Sequence, residues 1–147
     1  MLESLFTLFK RTRLLNYEQR CLDGWRATLS ESAKRVLDLQ LSAMRRVQRQ
    51  AGGAKLCFYP GGAKVPEFRP SAPDLMVSVV TLQDSNGAVA KMMRARVYVH
   101  RGHFFSIEFP KRPDRFAEQH QIDLDSLTVA SVETCVELSV SNPMESS

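Results

Sequence analysis

Hydrophobic and polar positions between residues 74 and 110 fall into three runs divided by two turn signals, and the pattern predicts a β-meander. Asn86-Gly87 supplies the first turn, since a two-residue type I′ loop needs positive φ at both central positions and Asn and Gly tolerate that best. Closing this turn with Ser85 and Ala88 pairs Leu82 with Lys91, Val80 with Met93, Ser78 with Ala95 and Met76 with Val97. At the second turn, a two-residue loop of Arg101-Gly102 sets Arg96 opposite Ile107 and mixes the faces. A three-residue loop, Arg101-Gly102-His103, pairs Val99 with Phe105, Val97 with Ile107 and Ala95 with Phe109, and leaves Arg96 opposite Glu108. The longer loop is expected, because a slip of one residue turns the apolar set toward water.

Before the meander the apolar spacing becomes helical. Leu2, Leu5, Phe6 and Phe9 share one stripe, closed by Lys10, Arg11 and Arg13 where cations suit a helix C-terminus. A second helix is expected from about Tyr17 to Trp25, broken near Gly24, with Trp25 packed in the core. Thr28-Leu29-Ser30-Glu31 has capping-box spacing. It opens the longest expected helix, whose stripe of Ala33, Val36, Leu37, Leu41, Met44, Val47 and Ala51 ends at Gly52-Gly53. Lys34, Arg35, Asp38, Ser42, Arg45, Arg46 and Arg49 fall on its wet side.

Residues 51–73 are rich in Gly and Pro, with Lys55 to Tyr59 as a candidate edge strand and residues 61–73 as an irregular loop. Gly-Gly-Ala-Lys occurs twice there, but neither copy has the spacing or the following hydroxyl residue of a phosphate loop. After the meander, a helical turn capped by Asp114 is expected up to His120. A half-buried strand follows, in which Ala130, Val132, Thr134, Val136, Leu138 and Val140 alternate with Ser131, Glu133, Cys135, Glu137 and Ser139. Glu133 and Glu137 are candidate partners for Arg94 or Arg96 if that strand joins the same side of the sheet. The expected fold is α+β: amino-terminal helices, the Thr28 helix above all, packed on one face of a mainly antiparallel four- or five-stranded sheet. The expected organisation is one domain over residues 1–147, helical over 1–51, sheet over 55–140 and a frayed tail over 141–147.

Composition agrees with an ordinary domain, since 147 residues at 44% hydrophobic bury a core without metal or disulfide staples. The three cysteines, Cys21, Cys57 and Cys135, are odd in number and scattered, which fits a reducing cytoplasm better than an exported disulfide scaffold. No run approaches the roughly 18 apolar residues of a membrane span, so none is expected. Charge is uneven: 13 basic and 6 acidic residues through Arg69 give plus seven, and 7 basic and 10 acidic residues from Pro70 give minus three. A basic surface on the helical half would suit an acidic partner.

Candidate binding surfaces follow from these patterns, and for a protein partner they are a mixed sheet face or the loop from Gly61 to Pro73. Opposite the meander's core set lie Val77, Val79, Thr81, Met92, Arg94, Arg96, Tyr98, Ser106 and Glu108, a face neither dry nor wholly polar. Val79, Met92, Arg94, Arg96 and Tyr98 are its candidate partner-binding residues. The alternative is a nucleic-acid footprint formed by Arg45, Arg46 and Arg49 on the basic helical face. Catalytic constellations do not emerge. His100 and His103 flank a turn without the third and fourth ligands that zinc wants, so no metal or other cofactor is expected. Cys57 and Cys135 read as packing residues, and Asp114, Glu118, Asp123 and Asp125 as solvated carboxylates. The expected function is a small non-catalytic protein-binding or adaptor module. One specific form is a bacterial immunity-type protein that neutralises a toxin, since such proteins are compact, cytoplasmic and lack catalytic signatures.

Overall fold

The computed structural model describes residues 14–84, 86 and 89–140. The stripe from Leu2 to Phe9, the tail over 141–147 and the closing residues of the Asn86-Gly87 turn lie outside this range. In chain order the elements are α1 (Asn16–Ala27), α2 (Glu31–Ser42), β1 (Met44–Arg49), β2 (Lys55–Pro60), β3 (Phe68–Arg69), β4 (Leu75–Asp84), β5 (Lys91–His100), β6 (His103–Glu108), α3 (Pro113–His120), β7 (Thr128–Thr134) and β8 (Ser139–Val140). The main sheet has six strands in the order β1-β2-β6-β5-β4-β7, and β3 pairs with β8 in a separate two-stranded ribbon. Every paired neighbour among the described residues is antiparallel. The fold is therefore α+β, with a larger sheet than the pattern predicted.

The extra strand arises where the long helix was expected. α2 stops at Ser42 and the chain continues as β1, paired with β2 through Val47 opposite Phe58 and Arg49 opposite Leu56. Met, Arg and Gln are good helix formers, so local propensity favours helix here and cross-strand pairing overrides it. The Ala43 carbonyl accepts from the Gly61 amide at 3.0 Å, which ties the end of α2 to the end of β2. Gly52 and Gly53, at φ 73° and 76°, belong to the β1–β2 connection rather than to a helix stop. β2 is consequently an interior strand, and β1 takes the edge.

Helix boundaries differ as well. Ser30, not Thr28, caps α2 by accepting from the Ala33 amide at 3.2 Å, while the Thr28 hydroxyl donates back to the Trp25 carbonyl at the end of α1. α1 runs unbroken through Gly24. A Cβ at Gly24 would stand 3.2 Å from a Val129 methyl, so glycine lets the helix approach β7 closely. α3 starts with Pro113 after Arg112, and Asp114 sits in its first turn instead of capping it.

Within the meander, two β-bulges decide which side chains face which way. Across β5 and β6 the expected register holds, with Arg96 opposite Glu108 and Val97 opposite Ile107. The turn itself is the two-residue Arg101-Gly102, at φ 49° and 83°. An irregularity between Tyr98 and Val99 absorbs the slip, so Val99 pairs with Phe104 rather than Phe105. β4 and β5 meet two residues away from the expected register, as Leu82 opposite Met93, Val80 opposite Ala95 and Ser78 opposite Val97. A two-residue shift preserves the faces. A bulge between Met76 and Ser78 then buries Val77 and leaves Met76 exposed, the reverse of the expected placement.

The core forms on one side of the main sheet. Tyr17, Cys21, Leu22 and Trp25 from α1, with Ala33, Val36 and Leu37 from α2, join Leu56, Phe58, Val80, Leu82, Ala95, Val97, Val99, Phe104 and Ile107 in one buried cluster. Trp25 is central, with its ring 5.3 Å from Phe104 and 6.3 Å from Phe68. α1 lies along β4 and β7 while α2 lies nearer β6 and β8, so the covering role is shared rather than resting on the Thr28 helix. β7 is shorter than expected. The amides of Cys135 and Val136 both donate to the Val77 carbonyl, turning the chain away toward β8. Among the described residues, no helix is long and apolar enough to cross a membrane.

Candidate functional site: an open sheet face

Residues directly opposite each other in antiparallel strands project to the same side. On the side away from the helices, Met76 stands opposite Tyr98, Val79 opposite Arg96, Thr81 opposite Arg94 and Gln83 opposite Met92. The next strand places Glu133 beside Val79 and Ser131 beside Thr81. On the other flank Arg96 faces Glu108, and Glu108 faces Lys55. The result is an open groove of about 650 Å³ lined by Met76, Val79, Thr81, Arg94, Arg96, Tyr98, Ser131 and Glu133.

Four of the five expected partner-binding residues, Val79, Arg94, Arg96 and Tyr98, thus line one groove. Met92 lies on the same face just outside it and is 56% exposed. Two other residues expected there are not available. Val77 is turned into the core by the bulge, and Ser106 is buried between Tyr98 and Cys57 on neighbouring strands. Met76 and Ser131 are groove residues beyond those expected, and Glu133 stands on this face because its strand does join that side of the sheet. Period-two alternation gave Ser131 and Glu133 a common side, but nothing local identifies β4 as their neighbour.

Arg94 and Arg96 are exposed and make no hydrogen bond or ion pair with other described residues. Glu133 and Glu137 do not pair with them. On the β1–β2–β6 side of the same face, cations rest on rings instead. The Arg46 guanidinium lies 4.8 Å from the Tyr59 ring centre and the Lys55 ammonium 6.0 Å from that of Phe105. Tyr59 meets Phe105 edge-on at 5.9 Å.

The basic triplet expected on a helix is dispersed along β1. Arg46 points to the open face, and Arg45 is exposed at the irregularity between Met44 and Arg46. Arg49 turns to the helix side. There its Nε and Nη2 donate to Glu18 Oε2 and Oε1 at 2.7 and 2.5 Å. Glu18 is fully buried and also accepts from the Leu15 amide at 2.7 Å, closing the start of α1. This bidentate hydrogen bond is the main reason the Arg49 guanidinium is held charged even more firmly than usual.

His100 Nδ1 lies 3.4 Å from Asp74 Oδ1 and His103 Nε2 lies 3.4 Å from Glu67 Oε1, so each imidazole has its own carboxylate. Among the described residues, no three His, Cys, Asp or Glu side chains converge as metal ligands. Burial pushes the Cys21 thiol up, and partial desolvation with nearby Glu133 does the same to Cys135, the opposite of thiolate activation. Arg112, bonded to both oxygens of Asp114, holds that carboxyl below the ordinary carboxylate range. Comparison with protein-family models, with curated proteins and with solved structures gives no match.

Proposed function

We propose that this protein is a non-catalytic binding or adaptor module that docks a protein partner on the open face of its six-stranded sheet. One observation supports this most directly: two exposed arginines without ion-pair partners among the described residues stand beside Met76, Met92, Val79 and Tyr98. Arg, Met and Tyr are the side chains enriched where proteins meet, because each brings contact area together with a polar or adaptable end. One specialised form of the reading is a cytoplasmic bacterial immunity protein that occupies a toxin's surface. It draws support from the same exposed arginines and apolar side chains, which suit the surface of a protein toxin.

The test places a photoreactive amino acid at Thr81, inside the groove, or at exposed Glu118 on α3, and irradiates the native cells. The expected outcome is a discrete protein adduct from position 81 and none from position 118. No adduct, or the same adducts from both positions, removes the reading.

A further inference from the structure

Resting on the docking reading above, we infer that the partner element recognised by this face is an extended acidic segment with two carboxylates, two residues apart, flanked by apolar side chains. Spacing along β5 sets the pattern. Met92, Arg94, Arg96 and Tyr98 share one side of the strand, and alternate side chains on a strand stand about 7 Å apart. A partner chain in extended conformation repeats its own same-side residues at that interval. A Glu-x-Glu pair therefore meets Arg94 and Arg96 together, and each guanidinium fork can donate two parallel hydrogen bonds to a carboxylate. The residues two positions beyond each carboxylate reach Met92 at one end and Met76 with Tyr98 at the other. Methionine adapts its shape to varied apolar partners.

The borders of the lane select the same occupant. Glu133 on β7 and Glu108 on β6 stand on either side of the row that contains Val79 and Arg96, so negative charge is welcome over β5 and opposed on both flanks. A narrow acidic segment satisfies this arrangement. A nucleic-acid strand fits it less well, because phosphates spread across the face meet both glutamates. The rings of Tyr59 and Phe105, which would stack unpaired bases, already hold Arg46 and Lys55.

The experiment is an NMR titration of the ¹⁵N-labelled full chain with three probes: the capped peptide Leu-Thr-Glu-Thr-Glu-Thr-Leu, its counterpart with Gln for both Glu, and a ten-residue oligothymidylate. The acidic peptide is expected to shift amides of residues 76–81 and 92–98, with affinity at least about tenfold above the Gln peptide. Arg94→Gln/Arg96→Gln is expected to erase that preference while leaving the remaining spectrum in place, which separates lost recognition from lost folding. Equal response to both peptides, or no response to either, overturns the inference. If position 81 still yields a protein adduct in cells, that result leaves the docking reading standing. A response to oligothymidylate alone overturns both.

Discussion

Gln40 joins three backbone groups that are distant from it in sequence. Its amide nitrogen donates to the carbonyls of Pro66 and Gly102, and its oxygen accepts from the Phe104 amide, all at 2.9 Å. Replacing it with Leu keeps the volume but leaves the Pro66 carbonyl and the Phe104 amide without this partner, while the Gly102 carbonyl keeps its bond from the Phe68 amide, so Gln40→Leu is expected to cost roughly 3 kcal/mol in urea denaturation. Arg49 acts similarly toward buried Glu18. Arg49→Met leaves a buried carboxylate without its main counter-charge, and a loss of about 3 kcal/mol is expected by the same measurement. The Arg26–Asp38 pair gives a smaller, pH-dependent effect. Its bidentate bond holds the Asp38 carboxyl below its ordinary value, so its stabilisation is present above the unfolded-state pKa of about 4 and is lost as pH falls through the folded-state value. Both side chains are substantially exposed, and Asp38→Asn should cost no more than about 0.5 kcal/mol at neutral pH, a cost that shrinks as pH falls in parallel thermal melts.

At the scale of elements, strands β4, β5 and β6 were legible because alternation over ten or six residues leaves few other ways to bury one side. The same parity put Val79, Arg94, Arg96 and Tyr98 together before any register was known. Bulges were not legible, since one inserted residue leaves no compositional mark, and for that reason Met76 and Val77 were exchanged. β1 was hidden by its own composition. Met44 and Val47 suit a helical stripe as well as a strand, and only pairing with β2 decides between them. The signal that was present is the Gly52-Gly53 pair, midway between two runs of equal length. A direct check is Gly53→Ala. At φ 76°, with the Tyr17 hydroxyl 2.8 Å from the added carbon, alanine is expected to cost at least about 1 kcal/mol by chemical denaturation.

For the molecule as a whole, the β1–β2 hairpin, the β4–β5–β6 meander and β7 join into six strands through contacts far apart in sequence, β2 with β6 and β4 with β7. Helices occupy one side of this sheet, and the arginine pair of β5 lies on the other. On the proposed reading, stability and recognition fall on opposite sides. Arg94→Gln/Arg96→Gln is accordingly expected to change unfolding free energy by no more than about 0.5 kcal/mol while abolishing the position 81 adduct, as read from urea melts and crosslinking in parallel. β1 offers a contrasting lesson. Because Arg46 and Arg49 emerge on opposite sides, a compound alanine replacement of the basic triplet would collapse the Glu18 anchorage along with any external charge. Loss of affinity in such a variant would report a broken scaffold; charge should be removed at Arg46 alone before ligand contact is credited to that strand.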